Sequence, residues 1–168
     1  MLTSILFAMN DAPTDRLALD SQLCFALYRA NRAVVRSYRP LLAELGLTYP
    51  QYLVMLVLWE ADEPVPLKFI DSRLGLDSGT LTPLLKRLEK QGYVERWRDP
   101  DDERRTLAAL TADGASLRTR AECIPEAMAE AYKEVGLDLA EFKESLDILA
   151  GVPVDVELPW PSGDDFVG

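Results

Sequence analysis

The sequence has no histidine, only two cysteines and no long apolar run, and each shortage excludes something. Without histidine, zinc and iron sites of the usual kind lack their commonest ligand, so no cofactor is expected. Two cysteines far apart in the chain, Cys24 and Cys123, do not make the disulfide framework of a secreted domain. No apolar stretch approaches the roughly 20 residues that span a bilayer, so no membrane partner is expected. The opening MLTSILFAM is apolar but lacks the basic region and cleavage site of a signal peptide. Met9 serves as a start as well as Met1, and a cytoplasmic protein is the expectation.

What is present suits one domain. The 168 residues, 48% hydrophobic and 27% charged, suffice for a real core. A net charge of −10 argues against nucleic acid until its distribution is read. Residues 1–120 hold 16 Lys/Arg and 16 Asp/Glu, whereas residues 121–168 hold Lys133 and Lys143 against 12 acids. The acidic excess therefore lies in the last third, and the remainder is free to present a basic face.

Residues 1–15 read as a flexible lead-in. From Leu19, apolar residues recur at 23, 27, 30, 34, 38, 41 and 45, the gaps of one helical face. Arg29, Arg32, Arg36 and Arg39 fall mostly off that seam; Pro40 predicts a kink or restart, and Gly46 a stop. Thr48-Tyr49-Pro50 starts a second helix, and QYLVMLVLWEA (51–61) is apolar nearly all round, as a central buried helix is. A turn over 62–66 leads to a short helix over 67–74, closed by Gly75.

LDSGTLTPLLKRLEKQG (76–92) follows, with Asp77, Ser78 and Thr80 as caps and Gly92 as its stop. Leu81, Leu84, Leu85 and Leu88 form its inward stripe. Gly79, Thr82, Pro83, Lys86 and Lys90 lie opposite, with Arg87 at the edge, and Pro83 suits a helix that begins near Thr80. YVERWR (93–98) and TLAAL (106–110) alternate as strands around the charged turn DPDDERR. Helices over 112–134 and 138–150 precede an extended acidic tail, 151–168, with Trp160 and Phe166.

This order is mainly α with a small β-hairpin wing: a winged helix-turn-helix. Its physical logic fits double-stranded DNA. A helix enters the major groove if its outer face is short, polar and cationic. Ser78, Thr80, Thr82, Lys86 and Arg87 supply such a face, and Gly79 allows close approach. Arg98, Arg104 and Arg105 at the hairpin suit a minor groove whose potential attracts arginine, with Asp102 or Asp77 to hold Arg104. The plainer alternative is a solvated surface helix beside a charged loop.

Cys24 lies in LDSQLCFALYRA (19–30), where a thiol is commonly a small buried hydrophobe. Tyr28 falls one helical turn on, on the same face. A peroxide is attacked by thiolate, which phenol O–H donors and a nearby helix N-terminus favour. An apolar wall of Leu23, Phe25, Tyr52 and Met55 would admit an alkyl or lipid hydroperoxide more readily than hydrogen peroxide.

Three stretches together resemble the MarR family and, within it, the organic-hydroperoxide-sensing (OhrR-like) repressors: LDSQLCFALY (19–28), LTYPQYLVMLVLWE (47–60) and LDSGTLTPLLKRLEKQGYVERWRDPDDER (76–104). The last marks the broad family; the first two, at this spacing, mark the peroxide-sensing branch. The resemblance covers about two-thirds of the chain.

It implies a homodimer on a palindromic operator, with residues 16–150 as the MarR-type domain. Dimer helices would occupy 16–46 and 112–150, flanking a winged helix over 48–110. It further implies Cys24 as the target of an organic hydroperoxide, held by Tyr38 and Tyr49 of the partner subunit, with Tyr28 nearby. Members with two working cysteines place the second beyond an Ile/Val-Pro pair. Here Cys123 precedes Ile124-Pro125, so its resolving role departs from that pattern. If Cys123 does not resolve it, oxidised Cys24 is capped by a small thiol or over-oxidised. Two rivals stand beside this non-enzymatic reading: a MarR-type repressor released by an aromatic ligand, and a thiol peroxidase.

Overall fold

The apolar seam folds as a 3-10 turn, Leu19–Ser21, followed by helix α1, Leu23–Ala43. In this computed structural model the described residues are 15–61, 63–133 and 136–151; the expected lead-in before Asp15 and the tail beyond Gly151 lie outside them. Pro40 does not restart the helix, which runs through it to Ala43. The carbonyl a proline leaves unbonded four residues back belongs here to Arg36, on an exposed stretch that water can reach.

Helix α2, Tyr49–Glu60, begins where Thr48 and Pro50 predict. Gln51 Oε1 accepts from both the N–H and the hydroxyl of Thr48, each at 2.9 Å. The Gln51 amide then donates to Gln91 Oε1 at 2.9 Å, and Gln91 donates to the Gly46 carbonyl at 2.7 Å. Gln51, at the centre of this chain, is 3% exposed, whereas Gln91 is exposed. Seven residues of α2 are buried, among them Val54, Met55, Leu58 and Trp59, which makes it the central helix.

Strand β1, Val65–Pro66, runs directly into helix α3, Leu67–Leu74, which Gly75 closes in the left-handed conformation. Helix α4, Ser78–Lys90, is capped by Asp77, whose Oδ1 accepts from the Thr80 N–H at 2.8 Å. The helix thus starts two residues earlier than Pro83 suggests. Leu81, Leu85 and Leu88 are fully buried, and burying each such side chain contributes about 1.5–3 kcal/mol.

Strands β2, Val94–Arg98, and β3, Thr106–Leu110, form the expected antiparallel hairpin, from Val94 opposite Leu110 to Arg98 opposite Thr106. The sheet has a third strand, since β1 pairs with the other edge of β3, Val65 opposite Ala108 and Pro66 opposite Leu107. The sequence reads as a turn there because two residues are too few to show alternation, and Pro66 is tolerated because β1 is an edge.

The single helix expected over 112–134 is two, α5, Ala112–Ala121, and α6, Cys123–Tyr132, divided at Glu122. Pro125 lies in the first turn of α6, where a missing N–H costs nothing. Helix α7, Leu139–Ala150, is capped by Asp138. The chain clusters into two units that divide after Met128.

Within the first unit, Arg96 of β2 forms an ion pair with Glu89 of α4, tying wing to helix. Their side chains are 16% and 31% exposed, and the buried Nε of Arg96 has no hydrogen-bond partner among the described residues. Glu89→Ala strands this cation. It is expected to cost about 1–3 kcal/mol, a fall in Tm of roughly 2–10 °C by circular dichroism. An unchanged Tm would show the pair to be ornamental.

Candidate functional site

Cys24 is the second residue of α1 and is exposed. The first helical bond of this turn runs from the Ala26 N–H to the Gln22 carbonyl, and Gln22 caps with no side-chain bond. Tyr28, one turn on, is 54% exposed and stacks on Phe25 with ring centroids 6.5 Å apart. Its hydroxyl accepts from Arg32 Nη1 at 2.8 Å, and the Arg32 guanidinium also lies 5.5 Å from the Tyr28 ring centroid. The acceptor side of this phenol is thereby used, while its own O–H is left to donate.

Tyr38 and Tyr49 are brought together, their ring centroids 5.0 Å apart. Tyr52 joins them at 6.0 Å from Tyr38 and passes the row on to Trp59 at 6.2 Å. Burial pushes the Tyr52 phenol above its usual range, and the neighbouring Tyr38, Tyr49 and Cys123 groups push it further. Tyr52 is therefore the hub of the phenol cluster, a role its expected place in an apolar wall did not convey. The signal was its spacing from Tyr49, three residues along one helical face. Met55, expected in that same wall, is fully buried in the core, on the inner side of a helix that exposes Leu56 and Glu60.

Cys123 opens α6, exposed, with its thiol donating to the Arg120 carbonyl at 3.5 Å. Ala121, Glu122 and Pro125, which bracket it, line a hollow shared with Tyr52 and Trp59. Cys24 is not part of this cluster. It shares α1 with Tyr38 but lies fourteen residues away, about 21 Å at 1.5 Å per residue. Within one chain the thiol and that phenol cannot touch.

The other surface is α4 with the wing. Thr80, Lys86 and Arg87 are exposed on the side opposite the buried leucines, while Thr82 is half-buried. Ser78 opens the helix, and its side chain lies outside the described residues. Arg98 and Arg104 are exposed on the wing, and Arg98 donates across the turn to the Glu103 carbonyl at 3.3 Å. Neither expected holder of Arg104 is used as such. Asp77 caps α4, and Asp102 accepts from the Arg104 backbone N–H at 3.1 Å. The carboxylate that orders the wing is Asp99, 7% exposed and 3.5 Å from Arg105 Nε. It was missed because pairing across a turn leaves no periodic trace.

Residues 36–120 match the profile of the SarA/Rot transcriptional regulators. The organic hydroperoxide resistance transcriptional regulator of Bacillus subtilis is 47% identical over 132 residues, 79% of this chain and 89% of that protein. The chain belongs to the MarR family, in its organic-hydroperoxide branch. This MarR-family chain is also 52% identical over 138 residues to the HTH-type transcriptional regulator TtmR of Methylorubrum extorquens, 82% of this chain and 69% of that one. The structure of reduced AbfR bound to DNA, 37% identical, superposes with a TM-score of 0.62 over 80% of this chain and 96% of that one. The winged helix-turn-helix of this MarR-family regulator is thus shared with relatives named as transcriptional regulators, and among its described residues no helix is long and apolar enough to cross a membrane.

Proposed function

We propose that the protein is a homodimeric repressor that leaves a palindromic DNA operator when an organic hydroperoxide oxidises Cys24. One observation carries this reading. Cys24 is exposed at one end of α1, and the Tyr38–Tyr49 pair is assembled about 21 Å away at the other. A second copy, with its own phenol pair brought up to this thiol, completes the site.

The chemistry balances between the Cys24 thiolate and an organic hydroperoxide. The thiolate electron pair attacks the outer peroxide oxygen, and the O–O bond breaks. The leaving alkoxide takes a proton and departs as an alcohol, while Cys24 becomes a sulfenic acid. That bulkier, neutral sulfur no longer accepts both phenol bonds. Charge-assisted bonds are worth about 1.5–3 kcal/mol each, so losing two biases a dimer between spacings of its reading helices. In this scheme Cys123, exposed at the start of α6, is the candidate to take up the oxidised Cys24 of the partner as a disulfide with loss of water. On DNA, Ser78, Thr80, Thr82 and Lys86 face the major groove with Arg87 at its edge, and Arg98 and Arg104 reach the minor groove.

The test is fluorescence anisotropy of the full chain on a duplex selected by the wild type, with and without cumene hydroperoxide, alongside intact mass. Wild type is expected to let go as it gains one oxygen or a crosslink, and Cys24→Ser to bind and stay bound. Peroxide release of Cys24→Ser would overturn the reading. So would release of both proteins by an aromatic acid alone, or sustained peroxide turnover with a thiol donor.

A further inference from the structure

A groove between α3 and the wing shares only Arg104 with the surfaces assigned above. It encloses about 630 Å³ and is lined by Lys68, Phe69, Ser72, Arg104, Arg105 and Thr106. The sheet builds it. Because Pro66 pairs with Leu107, α3 starts directly against β3, and Lys68 comes to stand across from the Arg105–Thr106 end of that strand.

The charge in this groove is positive and largely uncommitted. Among the described residues, neither Lys68 nor Arg104 has a carboxylate within ion-pair distance, whereas the neighbouring Arg73 is taken by Glu60 at 2.6 Å. Arg105 alone has a partner, Asp99, and that contact fixes its position. The Asp99 N–H donates to the Arg105 carbonyl at 3.0 Å, the Arg105 N–H donates to the Asp102 carbonyl at 2.8 Å, and Asp99 Oδ1 accepts from the Asp101 N–H at 3.0 Å. Among the described residues these three cations thus pair with one carboxylate, and Ser72 and Thr106 add hydroxyls to the lining. The Phe69 ring, 39% exposed and flanked by Arg73 at 5.9 Å, supplies an apolar side on which a sugar can rest.

We infer that this groove grips a backbone phosphate of the same duplex that α4 and the wing read, with Lys68 and Arg105 as its two cationic sides. The inference rests on the DNA-binding reading above. The occupant follows from charge complementarity and from continuity with the wing, since Arg104 belongs to both surfaces. Such a contact sets register and affinity while carrying no sequence information.

Two labelled 30-base-pair duplexes test it, one selected by the wild type and one scrambled, titrated with the full chain between 50 and 200 mM salt. Losing a phosphate contact lowers the slope of log K against log salt by about 0.9. Lys68→Ala is expected to lose about that much per contact and to weaken both duplexes by the same factor. Lys68→Arg should restore the slope, and Lys86→Ala should instead narrow the gap between the duplexes. A wild-type slope for Lys68→Ala, or a loss confined to the selected duplex, overturns the groove assignment while leaving DNA binding intact. Failure of the wild type to bind either duplex overturns the DNA-binding reading, and this inference with it.

Discussion

Gly114→Ala is expected to lower the stability of the winged-helix unit by about 3–5 kcal/mol. A β-carbon at residue 114 would lie 1.9 Å from the Tyr93 carbonyl oxygen and 2.8 Å from its carbon. The obstacle is backbone, and no rotamer change clears it. That carbonyl also accepts the Thr111 N–H at 3.1 Å, the bond that closes the wing onto α5. Moving α5 away to make room breaks the buried bond from Trp59 Nε1 to the Gly114 carbonyl, now 2.8 Å. Overpacking costs about 1–3 kcal/mol, and a stranded buried donor about 1–3 more. A domain with 5–15 kcal/mol in hand does not absorb that easily. Thermal unfolding followed by far-UV circular dichroism should show Tm falling by roughly 6–20 °C. A change within 2 °C would mean that α5 moves aside freely and that the Trp59 bond is dispensable.

Tyr38→Phe with Tyr49→Phe is expected to slow oxidation of Cys24 at neutral pH by at least tenfold while leaving DNA binding by the reduced protein in place. The two rings keep their packing at 5.0 Å, so the substitution removes hydroxyls and little else. Each phenol bond to a sulfur anion is worth about 1.5–3 kcal/mol, and about 1.4 kcal/mol is a factor of ten in an equilibrium. In the proposed scheme those donors stabilise the sulfur anion that attacks peroxide, so removing them removes that stabilisation. Stopped-flow trapping of the sulfenic acid gives the rate directly. Wild-type oxidation by the double variant would remove the tyrosines from the sensing chemistry. Tyr28→Phe, its ring already placed by Phe25 and Arg32, serves as the comparison.

Much of the fold is legible because its punctuation is local. Thr48, Asp77 and Thr111 cap helices through bonds to residues two or three positions on, and Gly75 closes α3 with a positive φ that costs it little. The leucine stripe of α4 and the alternation of β2 give the winged helix its order. What escaped depends on partners distant in sequence. Strand β1 exists only because β3 is there to receive it. Asp99 acquires its role from Arg105 across a turn, and Tyr52 from rings on two helices. The thiol site is legible in residue types and not in distance, because half of each site belongs to another copy in the proposed scheme.

The amide chain from Thr48 through Gln51 and Gln91 to Gly46 joins the turn that carries Tyr49 to the residue that caps α4. Tyr49 is the first residue after Thr48, so in the proposed scheme the sensing phenol is mounted at one end of a link whose other end is the tail of the helix proposed to read DNA. On that scheme, a push on the phenol would reach α4 through this link as displacement. Lever and fulcrum would then be set by two glutamines, Gln51 and Gln91, that belong to neither proposed site.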